Sequence, residues 1–394
     1  METEKRPSWI LPVIIISQFT GTSLWFASNA VMGDLQREWG LGISALGYMT
    51  SSVQLGFIAG TLLFAFLNIS DRFSPRIIFF ACSLSGALSN LCIYLVAQGL
   101  PSLVLLRFIT GFLLAGIYPV GMKIAAGWYE KGLGRALGYL VGALVVGTAF
   151  PHLLKSFGQT VAWENVIIAI SIVSVTGGLM MLWLVPDGPH LVKGTRFSSQ
   201  AFKIIFQSKD LRSAAFGYFG HCWELYTLWV FIPVFLGSYL SNHPESVDIS
   251  SWAFWIIAVG FLGCAGGGLL SQKVAGSRVA FFQLAASGIC CLISPLIFQA
   301  PLGIFLGFLV FWGIVVVGDS PQFSALTAQT APQEFMGSAL TLVNCIGFSI
   351  TIISIQTATY LMDFISPNFI FVFLAPGPLF GLISLRPLLR NSLN

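Results

Sequence analysis

The sequence predicts an all-α protein that crosses a lipid bilayer twelve times. Three observations carry this. Only 9% of the 394 residues are charged and 56% are hydrophobic, with a mean hydropathy of +0.85. Soluble domains carry about 25% charged residues, so an ordinary soluble domain is excluded. The apolar residues gather into twelve runs, and a membrane helix needs about 20 residues. Short polar turns separate most of the runs, and a lipid-exposed backbone must satisfy its own hydrogen bonds, which makes each run a helix. Barrel strands would be about half as long and would alternate in polarity.

In chain order the runs begin near Trp9, Ala45, Ile77, Leu103, Ala136 and Asn165, then Ala214, Ser251, Val279, Leu302, Gly337 and Pro367. The polar residues 1–8 lead into a run too long for a signal-peptide core, so no cleavable signal is expected. The first run carries Gln18, Thr22, Trp25 and Asn29 at helical spacing. A polar stripe on a membrane helix faces protein or a water-filled cavity, and both readings stand. The fourth run holds two cations. Tyr118 follows Arg107 by eleven residues, so at 100° per residue the two lie about 20° apart. Arg107 either attracts an anionic group or controls a carboxylate's proton, or it snorkels or pins helices. Lys123 is expected to snorkel toward the cytoplasm. In the fifth run His152 follows Pro151, and Lys155 stands at the outer end.

The one long connection, residues 186–213, puts Phe202, Ile205 and Phe206 on one side with lysines elsewhere. That pattern predicts a short helix lying on the membrane surface. In the seventh run His221 and Glu224 are three apart, neighbours on one helix face. An ionisable side chain at that depth costs about 2.5–3.5 kcal/mol, which points to a substrate or proton site. Removal from water disfavours a charged carboxyl, and histidine titrates near neutrality. A structural Glu–His hydrogen bond is the alternative. Trp223, Tyr226 and Trp229 are candidate pocket walls. In the tenth run Asp319 stands two residues before Pro321, either as a gate or proton group or resatisfying the helix that proline disturbs. Thr341 and Asn344 form a weaker polar pair in the eleventh. The seven cysteines have no metal-ligand or redox spacing and read as small packing residues.

Charge placement orients the chain. With the N-terminus inside, fifteen of the nineteen lysines and arginines fall in inner segments, and Arg37 and Lys155 lie at the outer side. Both termini are therefore expected in the cytoplasm. The second half also repeats the first. Ser23-Leu-Trp-Phe recurs as Thr227-Leu-Trp-Val, Gly56-Phe-Ile-Ala-Gly as Gly260-Phe-Leu-Gly-Cys, Gly116-Ile-Tyr-Pro-Val-Gly as Gly313-Ile-Val-Val-Val-Gly, and Gly134-Arg-Ala-Leu as Gly337-Ser-Ala-Leu, at offsets of 204, 204, 197 and 203. Two parallel halves of six helices place a transported solute near the mid-membrane, between the halves.

Asp71-Arg-Phe-Ser-Pro-Arg76 resembles the loop signature between the second and third helices of the major facilitator superfamily, and Arg107-Phe-Ile-Thr-Gly111 resembles its buried-arginine signature. Leu67 and Ser74 replace expected glycines, Pro75 replaces a basic residue, and the second-half counterpart 271–278 lacks the acid. Leu24-Trp-Phe-Ala-Ser-Asn-Ala and His221-Cys-Trp-Glu-Leu-Tyr resemble bacterial porters grouped with cyanate and nitrate/nitrite carriers. The resemblance implies two six-helix bundles, residues 1–185 and 214–394, joined by a cytoplasmic linker, 186–213, with Asp71, Arg72 and Arg76 in gating. Ala143 stands where drug antiporters usually carry the proline of a Gly-Pro pair, which counts against drug/proton exchange.

The expected function is secondary transport of a small organic or inorganic anion by alternating access, coupled to protons, across the inner (cytoplasmic) membrane. Arg107, Tyr118, Trp25, Asn29, Gln18, Trp223 and Asn344 are the expected substrate residues, and Glu224, His221 and Asp319 the proton-handling ones. The alternative is proton-coupled efflux of drugs or amphipathic cations, with Glu224 or Asp319 as the membrane acid. No G-x-x-x-x-G-K-[ST], H-E-x-x-H or G-x-S-x-G motif is present, which argues against ATP-driven pumping and against an enzyme. The expected partners are the bilayer, a small-molecule substrate and protons; no cofactor, metal or nucleic acid is expected, and a functional monomer is.

Overall fold

The computed structural model describes residues 7–129, 133–157, 161–191 and 197–391, and every regular element among them is helical. Lys5, Arg6, Lys131, Lys193 and Arg196, which contribute to the charge bias, lie outside the described residues. Among the described residues eleven helices are long and apolar enough to cross a membrane, and Ile10–Thr22 is a shorter apolar one. Ile10–Thr22 with its continuation is span 1. Spans 2 to 6 are Ser44–Phe66, Pro75–Val96, Leu100–Trp128, Gly134–Ser156 and Trp163–Leu184. Spans 7 to 12 are Lys209–Ser241, Ile249–Leu270, Gly276–Ile297, Leu302–Thr330, Gln333–Leu361 and Pro367–Arg390. The helix of span 7 thus begins at Lys209, inside the connection as bounded from sequence.

Several spans are broken, and the breaks change the sequence picture. Span 1 stops at Thr22 and resumes as Ala27–Ala30 and Met32–Trp39. Its last turn is rich in hydroxyls that bond back to its own carbonyls: Thr20 to Ser17 (2.9 Å), Thr22 to Gln18 (2.8 Å) and Ser23 to Thr20 (2.6 Å). Such back-bonding competes with the helix ladder. The continuous polar stripe is therefore corrected: Gln18 lies in the helix, Trp25 in the break and Asn29 in the short helix beyond it. Span 4 breaks between Leu114 and Tyr118, where Pro119 lacks an N–H for the ladder but fits a first helical turn. Constant rotation of 100° per residue does not hold across that break, so the 20° relation of Arg107 to Tyr118 fails. Span 10 breaks likewise between Val315 and Ser320, ahead of Pro321.

Glycines set the two tightest crossings. A Cβ on Gly111 would collide with the Val53 carbonyl oxygen, and one on Gly313 with that of Ile256. Gly60 meets the Phe112 carbonyl, and Gly263 that of Ile314, in the same way. Spans 2 and 4 therefore cross as spans 8 and 10 do. Gly111 and Gly313 are 202 residues apart, and Gly60 and Gly263 are 203 apart. This corrects the repeat register: Gly116 corresponds to Gly318, and Pro119 to Pro321, both at 202, instead of Gly116 to Gly313 at 197. Contacts across the halves obey the same symmetry, with span 2 packed on span 11 and span 5 on span 8.

Gly111→Ala and Gly313→Ala are each expected to cost about 1–3 kcal/mol, as overpacked sites do. Gly307→Ala, with nothing within 4 Å of the added carbon, is the neutral control. Thermal unfolding of the purified protein checks this; equal midpoints for all three would refute the crossings.

Candidate functional site

The break in span 1 brings Trp25 to the junction of the halves. Its ring stacks on Tyr226 of span 7 and Phe348 of span 11, at centroid distances of 5.8 and 5.7 Å, and packs on Phe57 of span 2 at 5.0 Å. Phe57 and Phe348 meet directly at 4.6 Å. On the far side from the linker this cluster continues into tight contact: Gln356 Nε2 donates to Ser51 Oγ at 2.8 Å, and Gly47 lies against Thr359. On the linker side spans 2, 4 and 11 diverge around a cavity of about 510 Å³. Thr61, one turn beyond Phe57, lines it. The aromatic cluster lies deeper along spans 2 and 11 and does not itself line the cavity.

Behind Trp25 lies Arg107, fully buried in span 4. Its guanidinium donates to the Leu24 carbonyl at 3.0 Å and to the Trp25 carbonyl, so it holds two peptide oxygens released by the break. Nε has no partner. Among the described residues no carboxylate lies within 4 Å of it. A buried cation without a counter-ion is rare because its desolvation is large and uncompensated. Nearby polar atoms are unpaired as well, including Trp25 Nε1 and Asn29 Oδ1, although Asn29 Nδ2 donates to Thr50 at 2.8 Å. At the repeat offset Arg107 is matched by Leu309, so the positive charge belongs to one half alone.

The acids occupy the other half, and the alternative of a structural Glu224–His221 hydrogen bond is not what forms there. Glu224 points into the bundle, where Ser287 Oγ, Trp312 Nε1 (2.9 Å) and Cys291 Sγ (3.3 Å) all donate to its Oε1. Donors converging on one oxygen suit the charged group. They also survive protonation at Oε2, which leaves Oε1 a carbonyl acceptor. His221 turns instead to Asp319 of span 10, with Nδ1 at 2.8 Å from Oδ1. The ring and carboxylate are close but poorly aligned, and neither Asp319 oxygen has a well-directed hydrogen bond. Span 11 clasps this part of span 7: Thr351 donates to the Cys222 carbonyl at 3.0 Å and Ser354 to that of Trp223 at 2.5 Å.

The remaining expected residues scatter. Tyr118 is half-buried and within electrostatic reach of Tyr218 and Tyr226. Gln18 is buried against Gly121 with both amide atoms unpaired. Trp223 turns away from the junction, donating to the Phe373 carbonyl at 3.3 Å, because Gly377 leaves room for it. Asn344 lies in a narrow recess with Tyr218, Phe323 and Thr327, inside the second half. His152 is buried with Nε2 unpaired. Lys155 is held by Asp34 at 2.7 Å, and Arg37 by the same carboxylate, so neither is a free outer cation. Lys123 does not snorkel; it pairs with Asp71. Arg76 reaches Asp187 only at 4.0 Å, and Arg72 is exposed. In the linker Ile205 is buried in the second bundle while Phe202 and Phe206 stay exposed, which splits the expected apolar side.

Phe57, Phe348, Ser287 and Trp312 were not legible as site residues. A lone phenylalanine or serine in an apolar helix carries no signal of what faces it across the bundle.

The broken spans, the symmetric halves and the cavity between them define a multi-pass membrane transporter. The chain belongs to the Major Facilitator Superfamily, whose sequence model matches residues 14–355. It is 24% identical over 280 residues to the pantothenate transporter liz1 of Schizosaccharomyces pombe, covering 64% of this chain and 54% of that protein. It is 28% identical over 172 residues to the D-galactonate transporter of Escherichia coli O6:H1, covering 41% and 37%. The chain thus spans about half or less of the curated relatives it matches. The structure of the proton:xylose symporter XylE bound to 6-bromo-6-deoxy-D-glucose superposes with a TM-score of 0.70 over 96% of this chain and 95% of that one. At 12% identity that likeness speaks for the fold alone. The family and the named relatives are transporters, not enzymes.

Proposed function

We propose that the chain is a proton-coupled secondary transporter of a small carboxylate, or a kindred small anion, working by alternating access. The observation that carries this reading is the Arg107 guanidinium, buried beside the junction of the halves with no carboxylate within 4 Å among the described residues to balance it. A substrate anion arriving at Trp25 supplies the missing charge. Both curated relatives are named for carboxylates, which supports the same reading. In it, residues 1–185 and 214–394 rock about the Trp25–Tyr226–Phe348 cluster, with 186–213 as the cytoplasmic connection. Glu224, and next the His221–Asp319 pair, takes up and releases the coupling proton within the second half. In the same reading both termini lie in the cytoplasm, which the bias of basic residues in the sequence supports.

The test is binding by the purified wild type of pantothenate, D-galactonate and nitrate against a panel of amphipathic cations. A ligand at a hundredfold excess over its Kd stabilises the folded state by about 2.7 kcal/mol, visible as a raised unfolding temperature. Stabilisation by anions is the expected result. Stabilisation by the cations alone would replace this reading with drug efflux through the acids of spans 7 and 10.

A further inference from the structure

The linker-side cavity contains a second cation that the central site does not use. Lys123 stands sixteen residues beyond Arg107 on span 4, past the break and toward the linker side. Its ammonium is fully engaged: it donates to the Ser70 carbonyl at 2.7 Å, lies 3.4 Å from Ser70 Oγ, and pairs with Asp71. Lys123, Ser70 and Asp71 all line the cavity, and the two charged side chains keep 22% and 18% of their surface exposed. Across the cavity span 11 presents Gln333, Ser338 and Thr341, groups able to meet a polar solute. Its volume falls within the range of about 300–1,000 Å³ typical of small-molecule sites.

We propose that this cavity is a second station for the substrate anion, in which a substrate carboxylate takes the place of Asp71 on the Lys123 ammonium. The station rests on the anion reading of the central site. Its chemistry is an exchange of like for like. One carboxylate leaves the ammonium as another arrives, so the lysine keeps an anionic partner, while the part-exposed Asp71 is left to water and its other contacts. A lysine suits the task, because its point charge and rotatable donors accept a new partner without the fixed geometry an arginine fork requires. An exchange also keeps the site shallow, which a transit site needs: favourable enough to enter, weak enough to leave. The displaced Asp71 belongs to the short helix Ile69–Arg72, which is tied to span 4 through this contact. Occupancy therefore loosens the tie between spans 2 and 4 at the cavity mouth.

The experiment measures dissociation constants of pantothenate and D-galactonate for the full-length protein, comparing wild type, Asp71→Asn, Lys123→Gln and the double variant. Asparagine fills the same space but cannot compete as an anion, so Asp71→Asn is expected to tighten binding about fivefold. Lys123→Gln abolishes that gain, and the double variant matches Lys123→Gln. If wild type binds but Asp71→Asn leaves affinity unchanged or weaker, the station is overturned and the central reading stands. If wild type binds neither carboxylate, both are overturned. Should Lys123→Gln fail to fold, Asp71→Asn alone still decides.

Discussion

Glu224→Gln is expected to abolish accumulation driven by a pH gradient while sparing counterflow exchange of the same solute. Glutamine is isosteric, and its Oε1 keeps accepting from Ser287, Trp312 and Cys291. The bundle that surrounds it therefore has no reason to repack. What is lost is the ability to alternate between a charged and a neutral group, because an amide does not titrate in this range. Without that alternation a proton gradient has nothing to act on, and the accumulation ratio falls to unity. Exchange of labelled for unlabelled solute needs only the rocking of loaded halves and persists. Proteoliposomes with an imposed pH gradient, followed by counterflow in the same preparation, give both readouts. Undiminished accumulation would remove Glu224 from the coupling and turn attention to Asp319→Asn. That substitution is expected to be less clean, because Asp319 already lacks a well-directed hydrogen bond and contacts His221.

The fold was legible because its causes are local. Runs of apolar residues need no knowledge of tertiary contacts, and the helices and the number of spans follow from them; the repeat was readable from short sequence matches, one of them out of register. The site was legible only in part. Position along a helix is readable from spacing, but spacing assumes a continuous helix, and spans 1, 4 and 10 are not continuous. The hydroxyls at Thr20, Thr22 and Ser23 and the prolines at 119 and 321 were the available signals of those breaks. Partners across the bundle were not readable at all. His221 and Glu224 are neighbours in sequence terms, yet their carboxylate and hydroxyl partners come from spans 9 and 10. Lys123 illustrates the same limit, since the cation looked bound for solvent until the loop after span 2 folded beneath it.

The proposed reading gives Arg107 two roles that its substitutions separate. Its fork holds the carbonyls of Leu24 and Trp25, and in the proposed anion reading its charge also meets the substrate. Arg107→Ala removes both. Leaving a buried carbonyl unsatisfied costs about 1–3 kcal/mol, so the unfolding midpoint should fall along with anion binding. Loss of binding in that variant alone would not distinguish a ligand group from a strut. Arg107→Lys keeps the charge but has no fork, and Arg107→Met keeps the stem with neither. Both lose at least one carbonyl contact, so both are expected to be destabilised. Their anion affinities should diverge: lysine within about tenfold of wild type, methionine weaker by a hundredfold or more, since a charge-assisted contact in a dry site contributes several times what a neutral one does. Affinity and unfolding midpoint, measured on the same preparations, then fall on different orders of the three variants. If affinity simply tracks stability across alanine, methionine and lysine, Arg107 is a strut for the break in span 1. The search for the anion's partner would then pass to the unpaired polar atoms around Trp25 and Asn29.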